Sequence, residues 1–435
     1  MLNVLHIAAH LGGGIGTAYY GILSESRKQG SNDSHTFLLT EEPIDLSNIE
    51  KIESLGVKIH IHRGEYEKAR ELLIKADIVV INWWHHPSLY KFLIEFDDIL
   101  CRTIIWSHVS GCVYPYLNVK FLDLCDKLVF TTPYSNESVG IADLDPELVK
   151  RKTEVIYGLG DYSQFINIEK QSHENFNIGY IGTVNYAKIH PQIEKYCGAV
   201  DVEDAIFTFV GRDGVSETIS NRSLLSKMNF VGYTSEPWNY LARFDVFGYL
   251  LSPAHYGTTE NALIEAMAAG VVPVALNQNV EKYLIENGVN GFLVDSPEKY
   301  GEVIRYLYEH PGIRVKMGQC AREAVLGRFS IRSNALKFRD ICRDVSCLPK
   351  RKRPFTDVFS NDPFGWFLFG MDSLTQEKMQ RISEQNDVDA IVRSLPEIFY
   401  QNRKSSVFHF FDYYPECDEL AGITKKLKET APSVF

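Results

Sequence analysis

Short apolar runs alternate with segments of helical periodicity along most of the chain. In residues 1–165 the runs NVLHIAA, HTFLLT, VKIHIH, ADIVVIN, RTIIWS and KLVFTT are typical of buried strands. Residues 166–330 repeat the pattern with FNIGYIG, AIFTFVG, MNFVGY, DVFGYLLSP, VVPVAL and GFLV. Helical segments such as TAYYGILSESRKQG and PEKYGEVIRYLYEH lie between them. Because strands that alternate with helices form parallel sheets, the pattern predicts two doubly wound α/β domains.

The same pattern sets the predicted domain boundaries. The apolar runs stop over YSQFINIEKQSHEN, so we place a linker near residues 162–175, between domains at 1–165 and 166–330. Residues 331–347 have the periodicity of a closing helix that returns to the first domain. Residues 348–435 contain the basic run LPKRKRPF and the aromatic clusters FGWFLFG and SVFHFFDYY but little periodic order, which predicts an appendage.

Composition narrows the class of protein. The formal net charge of -11 argues against a nucleic-acid binder. The 8 cysteines form no CxxC pair and no zinc-type spacing with histidine, so we expect reduced thiols, no metal site and a cytoplasmic location. The segment MLNVLHIAAHLGGGIG lacks the basic start of a secretion signal, and no run reaches the roughly 18 apolar residues of a membrane span.

A glycine cluster follows the first predicted strand and precedes a helix. Gly12, Gly13, Gly14 and Gly16 would let the backbone approach a ligand closely, at a helix N-terminus that favours anions. The dinucleotide pattern GxGxxG does not fit, because Thr17 stands where the third glycine would fall. Three interpretations remain: a dinucleotide site, a tight turn without a ligand, and contact with a ligand between the two domains.

Two basic residues follow predicted strands of the second domain. Lys188 lies in GTVNYAKIH and Arg212 in FVGRDG. Parallel sheets bind ligands at the carboxyl ends of their strands, and a pair of cations there suits a pyrophosphate. The alternative is that each is a solvated loop charge.

The segment HYGTTENALIEAMAAG predicts a loop and a helix that begins near Glu260 and ends at Gly270. Thr258 or Thr259 is the expected N-cap, so the first turn could hold a phosphate or sugar hydroxyls. Glu265 lies one turn into the helix, near its small-residue face, where burial without partners is costly. Ribose hydroxyls would be suitable partners, and a structural salt bridge is the alternative.

These residues resemble the retaining GT-B glycosyltransferases of the family 4 type. The match is closest in ENALIEAMAAGVVPVAL, and VEKYLIENGVNGFLV, VIYGLGDYSQF and REAVLGRFS support it. The resemblance covers roughly residues 1–347. It implies two Rossmann-like domains that face a cleft and transfer a sugar, with retention, from a UDP- or GDP-linked donor. That donor is a co-substrate, and we expect no other cofactor and no metal.

The resemblance also implies residue roles. Glu265 would bind the nucleotide ribose and Lys188 the diphosphate. His108, in IIWSHVSG, would lie near the reacting centre and the acceptor. Backbone amides would hold the diphosphate and donor sugar along Gly257, Thr258, Thr259, Glu260, Asn261 and Ala262. The glycine loop, Gly13, Gly14 and Gly16, would close over the diphosphate and the acceptor.

The aromatic segment NWWHHP offers a second candidate acceptor region. His85 and His86 follow a predicted strand, and together with the preceding tryptophans they could line an acceptor site. The alternative is a packed aromatic loop.

The chain departs from the family pattern at two positions. Gly257 stands where the family has its first glutamate, which contacts the donor sugar, and Thr183 stands where an arginine is frequent. Arg212 is the candidate for the missing positive charge. Glu260 is the candidate to replace the lost acid, acting from the helix cap.

The predicted function is therefore metal-independent sugar transfer to a glycan or lipid-linked acceptor. A sugar-nucleotide epimerase of the same fold and a non-catalytic partner subunit are the alternatives, and the missing acid at Gly257 favours the latter. The basic run followed by FGWFLFG predicts peripheral membrane contact through residues 350–371, at the inner face. The alternative for that segment is a solvated linker that leads into a small packed subdomain.

Overall fold

The computed structural model describes residues 1–160, 162–255, 257–385, 387–400 and 404–430. The chain divides into two compact units, of which unit 1 is Met1–Gly158 with Asn334–Phe435 and unit 2 is Leu159–Ser333. The break after Gly158 lies before the boundary predicted at 165. The segment predicted as a linker therefore opens unit 2, where it forms helix α8 (Ser163–Ile166).

Unit 1 is built on a seven-stranded parallel sheet in the order β3-β2-β1-β4-β5-β6-β7. The strands are β1 (Asn3–Ala8), β2 (Ser34–Leu39), β3 (Lys58–Ile61), β4 (Ile78–Trp83), β5 (Thr103–Ser107), β6 (Lys127–Phe130) and β7 (Thr153–Val155). Every residue of β4 is buried, as expected for a central strand covered on both faces. The helices that follow the strands are α1 (Gly14–Lys28), α2 (Ser47–Ser54), α3 (Tyr66–Lys75), α4 (Pro87–Glu95), α5 (Phe121–Leu124), α6 (Val139–Ala142) and α7 (Pro146–Lys152).

Unit 2 repeats the architecture with a six-stranded parallel sheet in the order β10-β9-β8-β11-β12-β13. Its strands are β8 (Phe176–Ile181), β9 (Ala205–Val210), β10 (Met228–Gly232), β11 (Val246–Tyr249), β12 (Val272–Leu276) and β13 (Phe292–Val294). Its remaining helices are α9 (Ile193–Gly198), α10 (Arg222–Leu225), α11 (Trp238–Leu241), α12 (Asn261–Ala268), α13 (Glu281–Leu284), α14 (Pro297–Glu309) and α15 (Pro311–Arg328).

Both sheets confirm the predicted doubly wound α/β fold. The strand order reverses between β1 and β4 in unit 1, and between β8 and β11 in unit 2. Ligands of such sheets bind beside these reversals, at the carboxyl ends of the strands. All the apolar runs predicted as strands are strands. The sequence pattern missed β7, whose three residues, TEV, include a single apolar side chain and form no apolar run.

The segment predicted as a loosely ordered appendage is helical and packed. After α16 (Ile331–Ser346) come α17 (Phe355–Phe359), α18 (Pro363–Leu368), α19 (Ser373–Ser383), α20 (Val388–Ser394), α21 (Val407–Tyr413) and α22 (Asp418–Thr430). Helices α17, α18 and α21 contact α4, and their apolar residues share one continuous core with the sheet of unit 1. The Trp366 ring stacks on Tyr90 with ring centroids 6.0 Å apart. The alternative of a small packed subdomain is therefore the one that these helices fit.

The burial of these residues corrects the expectation of membrane contact through 350–371. Trp366 is 6% exposed and Phe367 is fully buried, so FGWFLFG offers no aromatic side chains to a lipid interface. Two of the four residues of the basic run are engaged internally, whereas Arg351 and Lys352 are exposed. Arg353 pairs with Asp126, and the Lys350 ammonium donates to the backbone carbonyl of Ala76 at 2.7 Å. No helix in the described parts of the chain is long and apolar enough to cross a membrane.

Candidate functional site

Two glycines bring the first two loops of unit 2 into contact at the carboxyl edge of its sheet. Gly182 follows β8 with φ 145°, and Gly211 follows β9 with φ 152°. A Cβ atom added to Gly211 would lie 1.7 Å from the Gly182 carbonyl oxygen, so only glycine permits this approach. The Val184 N–H donates to the Arg212 carbonyl at 3.1 Å. The loops that carry Thr183 and Arg212, both exposed, therefore share this edge, as predicted.

Lys188 lies at the same edge and is tied to the segment after β11. Its carbonyl accepts a hydrogen bond from the Ser252 N–H at 2.8 Å. The Lys188 ammonium lies 3.7 Å from the Glu260 carboxylate and 5.8 Å from the centroid of the Tyr249 ring. The predicted diphosphate lysine is therefore paired with an acid of the same unit.

Helix α12 begins at Asn261, one residue later than an N-cap at Thr259 would place it. The N-cap is Glu260, in a left-handed conformation with φ 52° and ψ 59°, rather than Thr258 or Thr259. This conformation is uncommon for a residue other than glycine and carries local strain. It turns the Glu260 side chain inward, where only 6% of the residue is exposed. Thr258, Asn261 and Ala262 are half-buried, and Thr259 is buried.

The Glu260 carboxylate is held by three partners. It accepts a hydrogen bond from the Tyr249 hydroxyl, and its other oxygen lies 3.1 Å from His255 Nε2. Burial alone would raise the pKa of Glu260, but Lys188, His255 and Tyr249 together hold it well below the usual range. Glu260 is therefore a buried anion whose charge is compensated within unit 2.

The Glu260 carboxylate fills the space beside Gly257. A Cβ atom at Gly257 would lie 2.0 Å from Glu260 Oε1 and 2.1 Å from His255 Nε2. No side chain fits at the position where the resemblance places an acid, because a carboxylate from the helix cap already lies there. The geometry thus agrees with the interpretation that Glu260 substitutes for the missing residue.

Replacing Gly257 with alanine should test this steric coupling. The added methyl group would displace the Glu260 carboxylate from Tyr249 and Lys188, and we expect unfolding free energy to fall by about 1–3 kcal/mol. The matched control is Gly312→Ala on α15, where a Cβ meets no atom within 4 Å. Urea denaturation measures both, and equal effects of the two substitutions would contradict the coupling.

Glu265 is half-buried on α12 and is chemically distinct from Glu260. Burial raises the pKa of Glu265 to about 7, although Lys188 opposes the shift. Its carboxylate makes no hydrogen bond or ion pair with any residue that the structure describes. The alternative of a structural salt bridge therefore finds no partner in the described part of unit 2, and the side chain is available to a ligand.

Three residues of this cluster were not among the predicted site residues. Tyr249 ends a predicted strand, His255 lies in the following loop, and Glu281 opens α13. Glu281 is 1% exposed, and its Oε1 atom has no hydrogen-bond partner among the described residues. Burial, and then the nearby charge of Glu260, raise the pKa of Glu281 to about 8. Its sequence context, VEKYLIENG, looks like a surface helix and carries no sign of this burial.

In unit 1 the glycine loop is a tight turn with an exposed tip. Gly13 caps α1 with φ 63°, and Gly13 and Gly14 are exposed. A Cβ atom at Gly16 would lie 2.0 Å from the Leu11 carbonyl oxygen, so packing alone requires glycine there. Of the predicted ligand contacts, Gly13 and Gly14 are therefore accessible and Gly16 is structural.

His108 follows β5 and is half-buried. Burial lowers the pKa of His108 to about 3, so the ring is neutral. Its Nε2 atom donates to the Asn82 side-chain oxygen at 2.9 Å, which orients the imidazole. A neutral ring of this kind orients or polarises a hydroxyl and is a weak base.

His85 and His86 do not line an open acceptor site, which corrects that prediction. Each is 1% exposed. His85 Nδ1 lies 2.6 Å from the Tyr90 hydroxyl, and its ring packs against Phe410 with centroids 5.0 Å apart. His86 Nε2 lies 3.3 Å from the Glu41 carboxylate. The alternative of a packed aromatic loop is the correct one, and helix α21 covers it.

Two doubly wound parallel sheets, one in each unit, are the architecture of the GT-B fold. Residues 162–324 match the family model described as Glycosyl transferases group 1, which confirms the predicted resemblance for that segment.

Among solved structures, the chain is similar to HepE of Anabaena in complex with UDP, at 16% identity and a TM-score of 0.63, over 79% of this chain and 100% of that one. A glycosyltransferase from Rickettsia africae matches at 17% identity and a TM-score of 0.62, over 79% and 98%. The lipopolysaccharide core biosynthesis glycosyltransferase LpsE of Rhizobium meliloti is 23% identical over 121 residues, which are 27% of this chain. The chain thus matches 35% of the length of that curated relative.

Proposed function

We propose that the protein transfers a sugar from a nucleotide-diphosphate donor to a hydroxyl group of a glycan or lipid-linked acceptor. The observation that carries this proposal is the cluster of Lys188, Glu260 and Glu265 around the N-terminus of α12. It combines one cation, one compensated carboxylate and one carboxylate without a partner among the described residues, at the ligand edge of a doubly wound sheet.

On the donor side, Glu265 would accept hydrogen bonds from the ribose hydroxyls. A carboxylate with a raised pKa gains more from such donors than one already paired in the protein. Lys188 would turn from Glu260 to the diphosphate, and the first N–H groups of α12 and the loop amides from Gly257 would add to its binding. Arg212 and Thr183, on the adjoining loops, would complete the site.

In the transfer step, the bond between the anomeric carbon and the diphosphate oxygen breaks while the acceptor oxygen bonds to that carbon. Lys188, Arg212 and the helix dipole of α12 would stabilise the negative charge that develops on the leaving diphosphate, so no metal is needed. Attack on the same face would retain the anomeric configuration, and the acceptor proton would pass to the departing phosphate oxygen. His108 would orient the acceptor hydroxyl through its neutral imidazole.

The alternative of a non-catalytic partner subunit rested on the missing acid at Gly257. The Glu260 carboxylate beside Gly257 weakens that argument, because an acid is present there from another position. An epimerase would share the donor site and would differ in needing no acceptor.

A thermal-shift screen with UDP-glucose, UDP-galactose, UDP-N-acetylglucosamine and GDP-mannose tests the donor site. We expect at least one donor to stabilise the protein, and Glu265→Ala to weaken its binding roughly tenfold or more, because charged hydrogen bonds are lost. Glu309→Ala, an exposed acid at the end of α14, is the control and should bind normally. If none of the donors stabilises the protein and none is cleaved to release its nucleotide, the proposal is contradicted.

A further inference from the structure

Unit 1 contains a cavity of about 290 Å³ where strands β2 and β3 end. The loops after these strands, helix α4 and the end of α21 form its walls. The volume is near the lower end of the range for small-molecule sites, about 300 Å³, which suits a single sugar ring. The C-terminal segment thus completes a cavity that the sheet and α4 alone would leave open.

One wall of the cavity presents an aromatic face to solvent. Tyr66 is 48% exposed, and its ring packs edge-on against His62 with centroids 5.5 Å apart. Phe92 packs behind His62 and is 2% exposed. A firmly backed but accessible tyrosine ring is a suitable platform for the apolar face of a pyranose.

The polar groups of the cavity are neutral or mutually compensated. Lys91 and Glu95 lie 4.0 Å apart, and the Tyr66 hydroxyl donates to Glu95 at 3.4 Å. The Ser88 hydroxyl lies in the wall and bonds to that of Thr40 at 2.6 Å. Without a net positive charge, the cavity favours a ligand rich in hydroxyl groups over a phosphate.

Neither ring nitrogen of His62 has a hydrogen-bond partner among the described residues. Nδ1 is closed to solvent, so Nε2 is the ring atom that a ligand hydroxyl can reach. Burial lowers the pKa of His62, so the ring is neutral and can accept or donate at this atom.

The opposite wall comes from the segment after residue 347 and is firmly held. The Tyr414 hydroxyl donates to the Pro87 carbonyl at 2.9 Å. The Tyr413 ring packs edge-on against His86 with centroids 5.1 Å apart. Both contacts join α21 to the carboxyl edge of the sheet, so this wall is part of the folded unit.

We propose that this cavity binds one neutral hexose unit of a glycan acceptor, with its ring on Tyr66 and a hydroxyl on His62. The inference rests on the proposed sugar transfer. In the sheet order, β2 lies three strands from β5, after which His108 follows. Three spacings of about 4.8 Å amount to roughly 14 Å. The acceptor is therefore an oligosaccharide that is held at one unit and extended at another.

Saturation-transfer NMR on the full chain tests the cavity without any nucleotide. The probes are the methyl glycosides of glucose, galactose, mannose and N-acetylglucosamine, with glycerol as a hydroxyl control. We expect transfer to at least one glycoside and none to glycerol. In Tyr66→Ala the affinity should fall roughly fivefold, because the ring contact is lost. Tyr308→Ala, on α14 of unit 2 and 40% exposed in the native chain, should leave it unchanged.

A second variant, His62→Phe, keeps the ring and removes its nitrogens, and it should weaken the same glycoside. Transfer to no glycoside, or transfer that survives both substitutions, would overturn the proposal. The donor screen is measured separately. If donors bind and glycosides do not, only the proposal for the cavity is overturned. If no donor binds, the proposed function itself is contradicted.

Discussion

Replacing Lys188 with alanine should lower sugar transfer by about 100- to 1,000-fold, the usual loss when one preorganised charge that stabilises a leaving group is removed. Lys188 lies 3.7 Å from the Glu260 carboxylate, at the ligand edge of unit 2. Of the described residues, only Lys188 and His255 bring a basic side chain to that carboxylate, and His255 is charged only when protonated. The rate of nucleotide release from the donor, at saturating acceptor, measures the effect.

The same substitution leaves Glu260 buried without its cation, which should also destabilise unit 2 by about 3–5 kcal/mol. The double variant Lys188→Ala with Glu260→Gln separates the two effects. It should recover most of the stability, because no buried charge remains, and none of the activity. Lys195→Ala, an exposed lysine on α9, is the control and should change neither. Full activity in a stably folded Lys188→Ala protein would contradict the assigned role.

The sequence predicted the sheets because their strands are apolar runs bounded by turns. It also placed Lys188, Arg212 and Glu265 at one edge, since the carboxyl ends of parallel strands lie together. That inference needs only the positions of the strands, and the apolar runs of the sequence locate the strands well. Their roles remain predictions that the experiments above test.

Local cap preference did not predict the N-cap of α12, although the interpretation of Glu260 as the replacement acid required it to act from the helix cap. Threonine is a good N-cap and glutamate is not, so local preference favours Thr258 or Thr259. Glu260 takes the position in a left-handed conformation, and Tyr249, His255 and Lys188 hold its carboxylate there. Tyr249 and Lys188 lie outside the loop and helix that contain Glu260, so no local pattern relates them to it.

The membrane contact expected of the C-terminal segment was misjudged for a related reason. Its aromatic residues bury against α4 and against the loop that holds His85 and His86. Dense aromatic residues beside a basic run fit both a lipid interface and a packed core. A lipid interface and a packed core can be distinguished only when it is known that the apolar face of α4 receives these aromatic side chains. The same packing closes both histidines off from solvent and creates the cavity beside Tyr66.

Replacing Glu281 with glutamine should stabilise unit 2 at pH 8 by on the order of 4 kcal/mol. The pKa of Glu281 is raised from 4.5 to about 8 in the folded chain, by burial and then by Glu260. The folded protein therefore holds this proton more tightly than the unfolded chain. The stability from protonated Glu281 is complete below about pH 4.5 and is lost as the pH rises towards 8.

Glutamine resembles the protonated acid at every pH, so the advantage of Glu281→Gln should be small at pH 4.5, grow with pH and level off above pH 8. Urea denaturation at several pH values measures the difference, and Glu265 titrates in both proteins and cancels. Glu286→Gln, an exposed neighbour, should show no such trend. A constant difference between pH 5 and 9 would contradict the burial of an uncompensated carboxyl group. The expected trend would mean that Glu281 lowers the stability of the fold at neutral pH, a cost found where residues serve a site rather than the core.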